Sequence, residues 1–243
     1  MSTAIGAVLG FASIPAVALI VGGTVAAFRT PSAAVRSAVQ HIASGVLFAA
    51  LATELLPDVM HRRMPVVTVL GFAAGVAMML GLKALTARWE GTGAEQTATK
   101  LPVSLIVTSG VDIALDGLLI GIGFAAGQRQ GVLLTIALTL EVLFLGVSSA
   151  AALGGAAGSK LRIVAVSALF AVLLLVGAGT GAAFLRGASP VLIDALMSFG
   201  LAALLYLVME ELMVEAHEVP ETPLLTSMFF VGFITLLVIE MLL

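Results

Sequence analysis

The stretch LPVSLIVTSGVDIALDGLLIGIGFAAG, residues 101–127, is long and apolar enough to cross a lipid bilayer as one helix. Near its middle it holds two acidic residues, Asp112 and Asp116. Positions i and i+4 lie on the same face of a helix, so the two carboxylates are stacked one turn apart. Each carboxylate at bilayer depth costs about 2.5–3.5 kcal/mol on insertion scales, and two of them need a cation, a proton or an aqueous cavity. The stretch predicts a transmembrane helix that handles cations.

The composition of the whole chain is typical of a membrane protein. Of 243 residues, 60% are hydrophobic and 10% are charged, and the mean hydropathy is +1.19, whereas soluble domains carry about 25% charged residues. No soluble fold accounts for this composition. We expect one all-α domain, residues 1–243, in which turn and charge clusters separate eight transmembrane helices. They are predicted over residues 4–28, 35–57, 65–86, 101–127, 130–153, 161–185, 190–214 and 223–243.

Lys and Arg residues are shared unevenly between the two sides of the predicted bundle. Seven lie in or beside the connections that follow helices 1, 3 and 5, and four lie in those that follow helices 2, 4 and 6. Cytoplasmic loops carry the excess of basic residues. We therefore expect an integral protein of the plasma (inner) membrane with both termini outside. The first set is Arg29, Arg36, Lys83, Arg88, Lys100, Lys160 and Arg162, and the second is Arg62, Arg63, Arg129 and Arg186.

The sequence has no cysteine, which excludes disulfides and thiolate metal sites. Glycine pairs at four-residue spacing recur along the chain and predict close packing of helices. The same small-residue faces are compatible with a homodimer. No feature indicates a nucleic-acid partner. The pairs are Gly6 and Gly10, Gly71 and Gly75, Gly117 and Gly121, Gly123 and Gly127, and Gly177 and Gly181.

Polar side chains inside the predicted helices are the candidates for chemistry. On helix 4, Thr108 and Ser109 lie on the same side as Asp112 and Asp116, one turn earlier. Helix 5 places Glu141 deep in an apolar run. We predict that Glu141, from a neighbouring helix, completes a site with the two aspartates.

The end of helix 7 is also acidic. With about 100° of rotation per residue, Glu211 and Glu215 share a face, whereas Glu210 points elsewhere. In helix 2, Glu54 precedes Pro57, whose ring removes a backbone donor and favours a helix end or a kink nearby. We interpret Glu54 as a portal residue. Two further residues on the expected ion pathway are Ser148 and His217.

The ionisable residues also have structural interpretations. Buried carboxylates can hydrogen bond to helix ends, and a protonated Glu141 can donate to a neighbouring carbonyl. His41 is expected to cap or pack at the start of helix 2. Several acidic residues lie near predicted helix ends, where snorkelling or solvation removes most of the cost of burial. These are Glu54, Asp194, Glu210 and Glu240.

Four segments of the chain resemble those of a known family. Helix 4 carries DIALDG at residues 112–117, followed by LLIGIGFAAG, and helix 5 carries EVLFLG at residues 141–146. Helix 2 reads ASGVLFAALATELLPDV, and helix 7 ends in MEELMVEAHEVPET. In these segments and in the order of its helices, nearly the whole chain is similar to the ZIP (Zrt/Irt-like) divalent-metal transporters. The resemblance implies eight transmembrane helices, outside termini and a metal site between helices 4 and 5.

The chain departs from the motifs of that family at several positions. Helix 4 of the family carries His-Asn-x-Pro-Glu-Gly, so Asp112 and Asp116 stand at the His and Glu ligands, whereas Ile113 and Leu115 replace Asn and Pro. In helix 5, Leu145 replaces the second ligand. We therefore expect the second metal position of the family to be lost. Helices 4 and 5 are expected to be straighter without their prolines.

The resemblance and the residues together predict one mononuclear metal site, built from Asp112, Asp116, Glu141 and Glu211. Carboxylate oxygens suit hard ions such as Mn2+, Mg2+ or Ca2+, with Fe2+ intermediate, and Zn2+ can bind through carboxylates and water. Three or four carboxylates exceed the charge of one divalent ion. Protons are therefore expected to occupy the site when metal leaves.

We expect the protein to transport a divalent metal cation (Zn2+, Mn2+, Fe2+ or similar) through this midplane site by alternating access. The resemblance implies that helices 1, 4, 5 and 6 carry the metal past helices 2, 3, 7 and 8, with Glu211 reaching the site in some states only. The alternative is a non-transporting metal-sensing or accessory membrane protein on the same fold. An enzyme is not expected, because the two aspartates of a protease dyad must face each other, and Asp112 and Asp116 lie on one face of one helix.

Overall fold

The structure is a computed structural model that describes residues 5–29, 31–92, 103–157, 159–185, 188–220 and 222–242. Over these ranges it contains eight long helices and no strand, which confirms the predicted all-α class. Each helix is long and apolar enough to cross a membrane, as expected of an integral membrane protein. The helices are α1 (Ile5–Phe28), α2 (Ala33–Arg62), α3 (Pro65–Thr92), α4 (Val103–Ala126), α5 (Gln128–Ala157), α6 (Lys160–Phe184), α7 (Pro190–Ala216) and α8 (Pro223–Leu242).

The predicted end of helix 2 at Pro57 is wrong, because α2 continues to Arg62. The turn before the proline, Leu51–Leu55, is π-helical, and the Leu56 N–H donates to the carbonyl five residues earlier. Proline has no N–H for the carbonyl one turn before it. The wider π turn accommodates the ring, so the irregularity lies inside the helix and does not end it.

Helix α3 also runs past its predicted end, from residue 86 to Thr92. Residues 93–100, which precede the predicted start of helix 4, lie outside the described residues. The remaining helix ends lie within four residues of their predicted positions. The helices that carry the candidate site are therefore placed where the sequence predicts them.

Helix α7 begins at a Ser-Pro pair, Ser189 and Pro190, which caps its first turn. Ser189 has an extended backbone, and its Oγ accepts a hydrogen bond from the Leu192 N–H at 3.3 Å. Pro190 follows at the first helical position, where its missing N–H costs nothing. Hydroxyl caps also precede α2 and α8, at Ser32 and Thr222.

The helices differ in how much of their surface is buried. In the most apolar window of each helix, 67% of α4 is buried, against 17% of α3 and of α8. An apolar helix surface that no protein covers is compatible only with lipid or another apolar partner. α4 is therefore central in the bundle, and α3 and α8 are peripheral.

The most extensive helix contacts divide the bundle into two groups. α1, α4, α5 and α6 pack on one another, chiefly through α4 with α6 and α1 with α5. In the second group, α3 packs on α7, α2 packs on α8, and α2 also contacts α7. Contacts between the groups are smaller, and the largest of them joins α2 to α5.

Glycines bring α4 and α6 into direct backbone contact. A Cβ added at Gly117 or Gly121 would collide with backbone atoms of α6, and one added at Gly177 or Gly181 would collide with α4. This is the close approach that small residues at four-residue spacing allow in a membrane. It fixes α4 against α6. The other pair that lies against backbone is Gly71 and Gly75, between α3 and α7.

Two of the predicted glycine pairs do not mediate backbone packing between helices. Added Cβ atoms at Gly6 and Gly10 would meet nothing within 4 Å. Added Cβ atoms at Gly123 and Gly127 would first meet side chains near the turn between α4 and α5. For these two pairs, the four-residue spacing predicts a close contact between helices that the structure does not have.

Gly117→Ala is expected to lower the free energy of unfolding by about 1–3 kcal/mol, because the added methyl group overpacks the contact with the α6 backbone. Gly10→Ala is the matched control, since its added methyl group meets open space and alanine is the better helix former. Thermal unfolding of the purified proteins in detergent measures the difference. Equal melting temperatures for the two variants would contradict the role of this contact.

Candidate metal centre

Three carboxylates from two helices meet inside the bundle. Asp112 and Asp116 come from α4 and Glu141 from α5, and one oxygen of each lies within 4.8 Å of the other two. The three residues are 8%, 1% and 2% exposed, respectively. Within the described ranges, no salt bridge includes any of them. The structure thus brings together three of the four predicted ligands.

The electrostatics of this cluster favour neutralisation of its charges by a cation or by protons. Two full charges 4.8 Å apart repel by roughly 3 kcal/mol at an effective dielectric constant of about 20. In the described part of the chain, two of the buried oxygens, Asp116 Oδ2 and Glu141 Oε2, have no hydrogen-bond partner. Buried polar oxygens are normally satisfied, so these two are open to a ligand.

The spacing of the three oxygens fits a single ion. A hard divalent ion binds oxygens at about 2.0–2.6 Å, so two ligands on opposite sides of it are at most about 5 Å apart. The oxygens of Asp112, Asp116 and Glu141 fall within that limit as they stand. Little rearrangement is needed for all three to bind the same ion.

The positions next to the carboxylates are apolar. Ile113 follows Asp112 on α4, Val142 follows Glu141 on α5, and both are fully buried. Leu145 is half-buried. Hydrocarbon side chains cannot bind metal, so the candidate ligands at this site are carboxylates and backbone or water oxygens.

The predicted hydroxyls have different environments. Ser109, three residues before Asp112, is buried, and Ser148 of α5 is half-buried. The side chain of Thr108 lies outside what the structure describes. Ser109 is therefore buried, as a hydroxyl group close to the cluster would be.

Glu211 does not join the three carboxylates. It is exposed, and it lies in a second π-helical segment, Val208–Leu212, where the Met213 N–H donates to the Val208 carbonyl. It is nevertheless near enough for its charge to act on all three residues of the cluster. Glu211 is thus a near neighbour of the cluster.

Its neighbour Glu210 contacts another helix, α3. The Glu210 carboxylate lies 3.1 Å from Lys83 Nζ of α3, and both side chains are exposed. An exposed pair of this kind contributes little to stability.

The last turn of α7 contacts the start of α2. Glu215 accepts a hydrogen bond from the Gln40 amide, and the exposed ring of His217 lies 5.4 Å from the ring of His41. His41 is buried, and its Nδ1 lies 2.8 Å from the Ser37 carbonyl, so Nδ1 carries the hydrogen. His41 therefore packs between the two helices, one of the two roles predicted for it.

A separate charged cluster lies toward the other end of α2. Glu54, in the π-helical turn, is buried and pairs with Arg129 of α5 at 3.2 Å. Arg129 also lies 3.4 Å from Glu240 of α8. The interpretation of Glu54 as a solvated residue near a helix end is wrong, because Glu54 is buried in this ion pair. Glu240 is half-buried near the end of α8, beside the exposed Arg129. Arg129 lies at the start of α5, and in an eight-helix bundle this is the side of the membrane on which α2 and α8 end. This position is the feature of the sequence that could have indicated the ion pairs of Arg129.

The burial of Asp194 differs most clearly from what the sequence predicts. Its position near the start of helix 7 predicts solvation, yet it is fully buried at 0% exposure. The cause is α3, which approaches α7 closely through Gly71 and Gly75 and covers this part of the helix. No periodicity within helix 7 predicts that contact.

The chain can hold a divalent cation among three buried carboxylates of α4 and α5, with further acidic residues at the end of α7. The residues of this site are assigned from their geometry and burial. In comparisons with known proteins, no family model matches the sequence, and no curated protein is significantly similar to it.

Proposed function

We propose that this protein carries a divalent metal cation across the membrane as a transporter of the ZIP type. The observation that carries the proposal is the buried cluster of Asp112, Asp116 and Glu141, with oxygens within 4.8 Å of one another. Ionisable residues inside a membrane bundle are costly and usually mark an ion pathway or a substrate site. A structural cluster would be expected to satisfy its oxygens, and two of these have no partner among the described residues.

The donor set narrows the class of ion. All three ligands are carboxylates, which favour Mn2+ and other hard ions, with Fe2+ intermediate and Zn2+ able to bind with water. Three negative charges exceed the charge of one divalent ion, so a divalent ion is retained more strongly than a monovalent one. The site fits one ion, because the neighbouring Ile113 and Val142 supply no further oxygens.

In this proposal the ion reaches the cluster from the acidic end of α7. Glu210, Glu211 and Glu215 are exposed, and Glu211 interacts electrostatically with the buried carboxylates. Carboxylates at the mouth of a pathway concentrate cations near it. Transport by alternating access then requires the cluster to face the two sides of the membrane in turn. The two groups of helices offer the natural division for that movement, with the cluster on α4 and α5 and Glu211 on α7.

Uptake of divalent ions into liposomes tests the proposal directly. Purified protein is reconstituted, and the entry of Mn2+, Fe2+, Zn2+, Mg2+ and Ca2+ is compared with that into protein-free liposomes. Protein-dependent entry of at least one ion is expected. Tight binding without entry would overturn transport and favour the metal-sensing or accessory role. The absence of both would overturn the metal site itself.

Lower pH is expected to weaken metal binding. Protons and metal compete for the same carboxylates, so binding of the ion releases protons. Between about pH 7.5 and about pH 5.5, affinity should fall by up to about tenfold per pH unit for each proton released. Equilibrium binding measured at matched ionic strength checks this sign. An affinity that stays constant over this range would contradict competition between metal and protons.

A further inference from the structure

Hydroxyl groups inside the helices usually satisfy themselves. Besides Thr68, five buried or half-buried serine and threonine residues donate to the carbonyl four residues earlier, which uses their single hydrogen. Ser198 of α7 does not do so. It is fully buried, and in the described part of the chain its Oγ is the one serine or threonine oxygen that is sealed from solvent and has no hydrogen-bond partner. The five self-satisfied residues are Ser44, Thr53, Thr135, Thr139 and Ser167.

Asp194 lies one turn before Ser198 and therefore on the same face of α7. It is also fully buried, and its Oδ1 has no hydrogen-bond partner within the described ranges. Its Oδ2 lies 3.2 Å from Thr68 Oγ1 of α3. Across the same ranges, no Lys, Arg or His forms a salt bridge with Asp194.

The contact with Thr68 does not satisfy the carboxylate. Thr68 Oγ1 also lies 3.1 Å from the Met64 carbonyl. A hydroxyl has one hydrogen, and two acceptors compete for it. Asp194 thus has at most a share of one hydrogen bond, whereas a buried carboxylate normally has several or a cation.

The surroundings of this aspartate exclude bulk water. Gly71 of α3 lies against the backbone of Ala195, and Gly75 lies against that of Phe199. These two residues follow Asp194 and Ser198 directly. The polar groups therefore lie at a closely packed helix contact, where a charge without a partner is most costly.

We propose that Asp194, Ser198 and Thr68 bind a monovalent cation of the size of sodium. One carboxylate balances one positive charge, and the three oxygens are hard ligands suited to an alkali cation. Thr68 can then donate its hydrogen to Met64 and direct a lone pair at the ion. Two oxygens bound side by side at about 2.4 Å are about 3.4 Å apart, and the spacing of Thr68 Oγ1 and Asp194 Oδ2 is 3.2 Å.

This site is separate from the carboxylate cluster. It shares no residue with Asp112, Asp116 and Glu141, and it joins α3 to α7, whereas the cluster joins α4 to α5. Its ligand also differs in charge. The inference therefore does not rest on the proposed transport of a divalent ion.

Sodium binding to the purified protein tests the inference. In buffer with a chelator of divalent ions, radioactive sodium is expected to bind saturably, and an excess of unlabelled NaCl but not choline chloride should displace it. Asp194→Asn should weaken binding at least about tenfold, because even the loss of an outer-shell partner has an effect of that size at other metal sites. Ser198→Ala should weaken it several-fold. Asp116→Asn, in the other cluster, should bind sodium as the wild type does.

Thermal unfolding is a second test, for the case in which a variant loses sodium binding because it does not fold properly. NaCl should raise the melting temperature of the wild type and of Asp116→Asn above that in choline chloride at the same ionic strength, and it should not raise that of Asp194→Asn. Equal melting temperatures in the two salts, or an equal rise in Asp194→Asn, would overturn the proposal. Those results would leave Asp194 and Ser198 as a structural pair.

Discussion

Asp116→Asn is expected to abolish metal uptake without weakening the fold. Asparagine has nearly the shape of aspartate, so packing is preserved, but one of three ligand charges is lost. Removing a metal ligand should reduce affinity by at least about 10- to 100-fold. The same change removes repulsion among buried carboxylates, so the metal-free variant should be at least as stable as the wild type. Loss of function with unchanged or higher stability is typical of a residue kept for its chemistry.

Two measurements on reconstituted protein separate this outcome from a structural role. Uptake of the transported ion and the melting temperature in chelator are compared for the wild type, Asp116→Asn and Asp58→Asn. Asp58 is the matched control, because it pairs with Arg62 near the end of α2 and not with the cluster. The control should transport normally. If Asp116→Asn instead lost stability and kept its uptake, the carboxylate would be structural and the metal centre would be wrong.

Arg129→Gln is expected to destabilise the protein and to loosen the contact of α5 with α2 and α8. The change leaves the carboxylates of Glu54 and Glu240 facing each other without a cation. Breaking a buried ion pair can cost about 3–5 kcal/mol. The side chain of Arg129 is 53% exposed, so solvent screening reduces the expected loss to about 1–3 kcal/mol.

A second substitution identifies the cause of that loss. Glu54→Gln in the Arg129→Gln background removes one of the two unpaired charges and should recover most of the stability. Lys83→Gln is the matched control, because Lys83 and Glu210 form an exposed pair, and its melting temperature should stay at the wild-type value. A double variant no more stable than Arg129→Gln alone would show that Arg129 acts through packing of its long side chain and not through its charge.

The helices and the core of the site could be predicted from local sequence properties. Hydropathy and length place eight helices, because the bilayer leaves the backbone few alternatives to a helix. The spacing of Asp112 and Asp116 places them on one face by helix geometry alone. Glu141 lies on a different helix, so the spacing of residues along α4 cannot place it at the site. The sequence predicts that a carboxylate of a neighbouring helix completes the site, and the structure brings an oxygen of Glu141 within 4.8 Å of both aspartates.

Other features depend on contacts that no local pattern contains. The π-helical segment Val208–Leu212, which holds Glu210 and Glu211, contains no proline or glycine that would mark it in the sequence. Asp194 is buried because α3 covers it, and that contact depends on glycines more than 100 positions earlier in the chain. Arg129 finds its partners on α2 and α8, which the sequence alone does not bring together.

The division of the helices into two groups has a consequence for how variation would act on a carrier of this kind. All three carboxylates belong to α4 and α5, within the group that the glycine contacts hold together. If that group moves as one body, the ion keeps the same ligands on both sides of the membrane. Substitutions inside the group would then change affinity equally at the two faces. Substitutions along α2, α3, α7 and α8 would change the speed of the cycle and leave the intrinsic affinity of the site as it is.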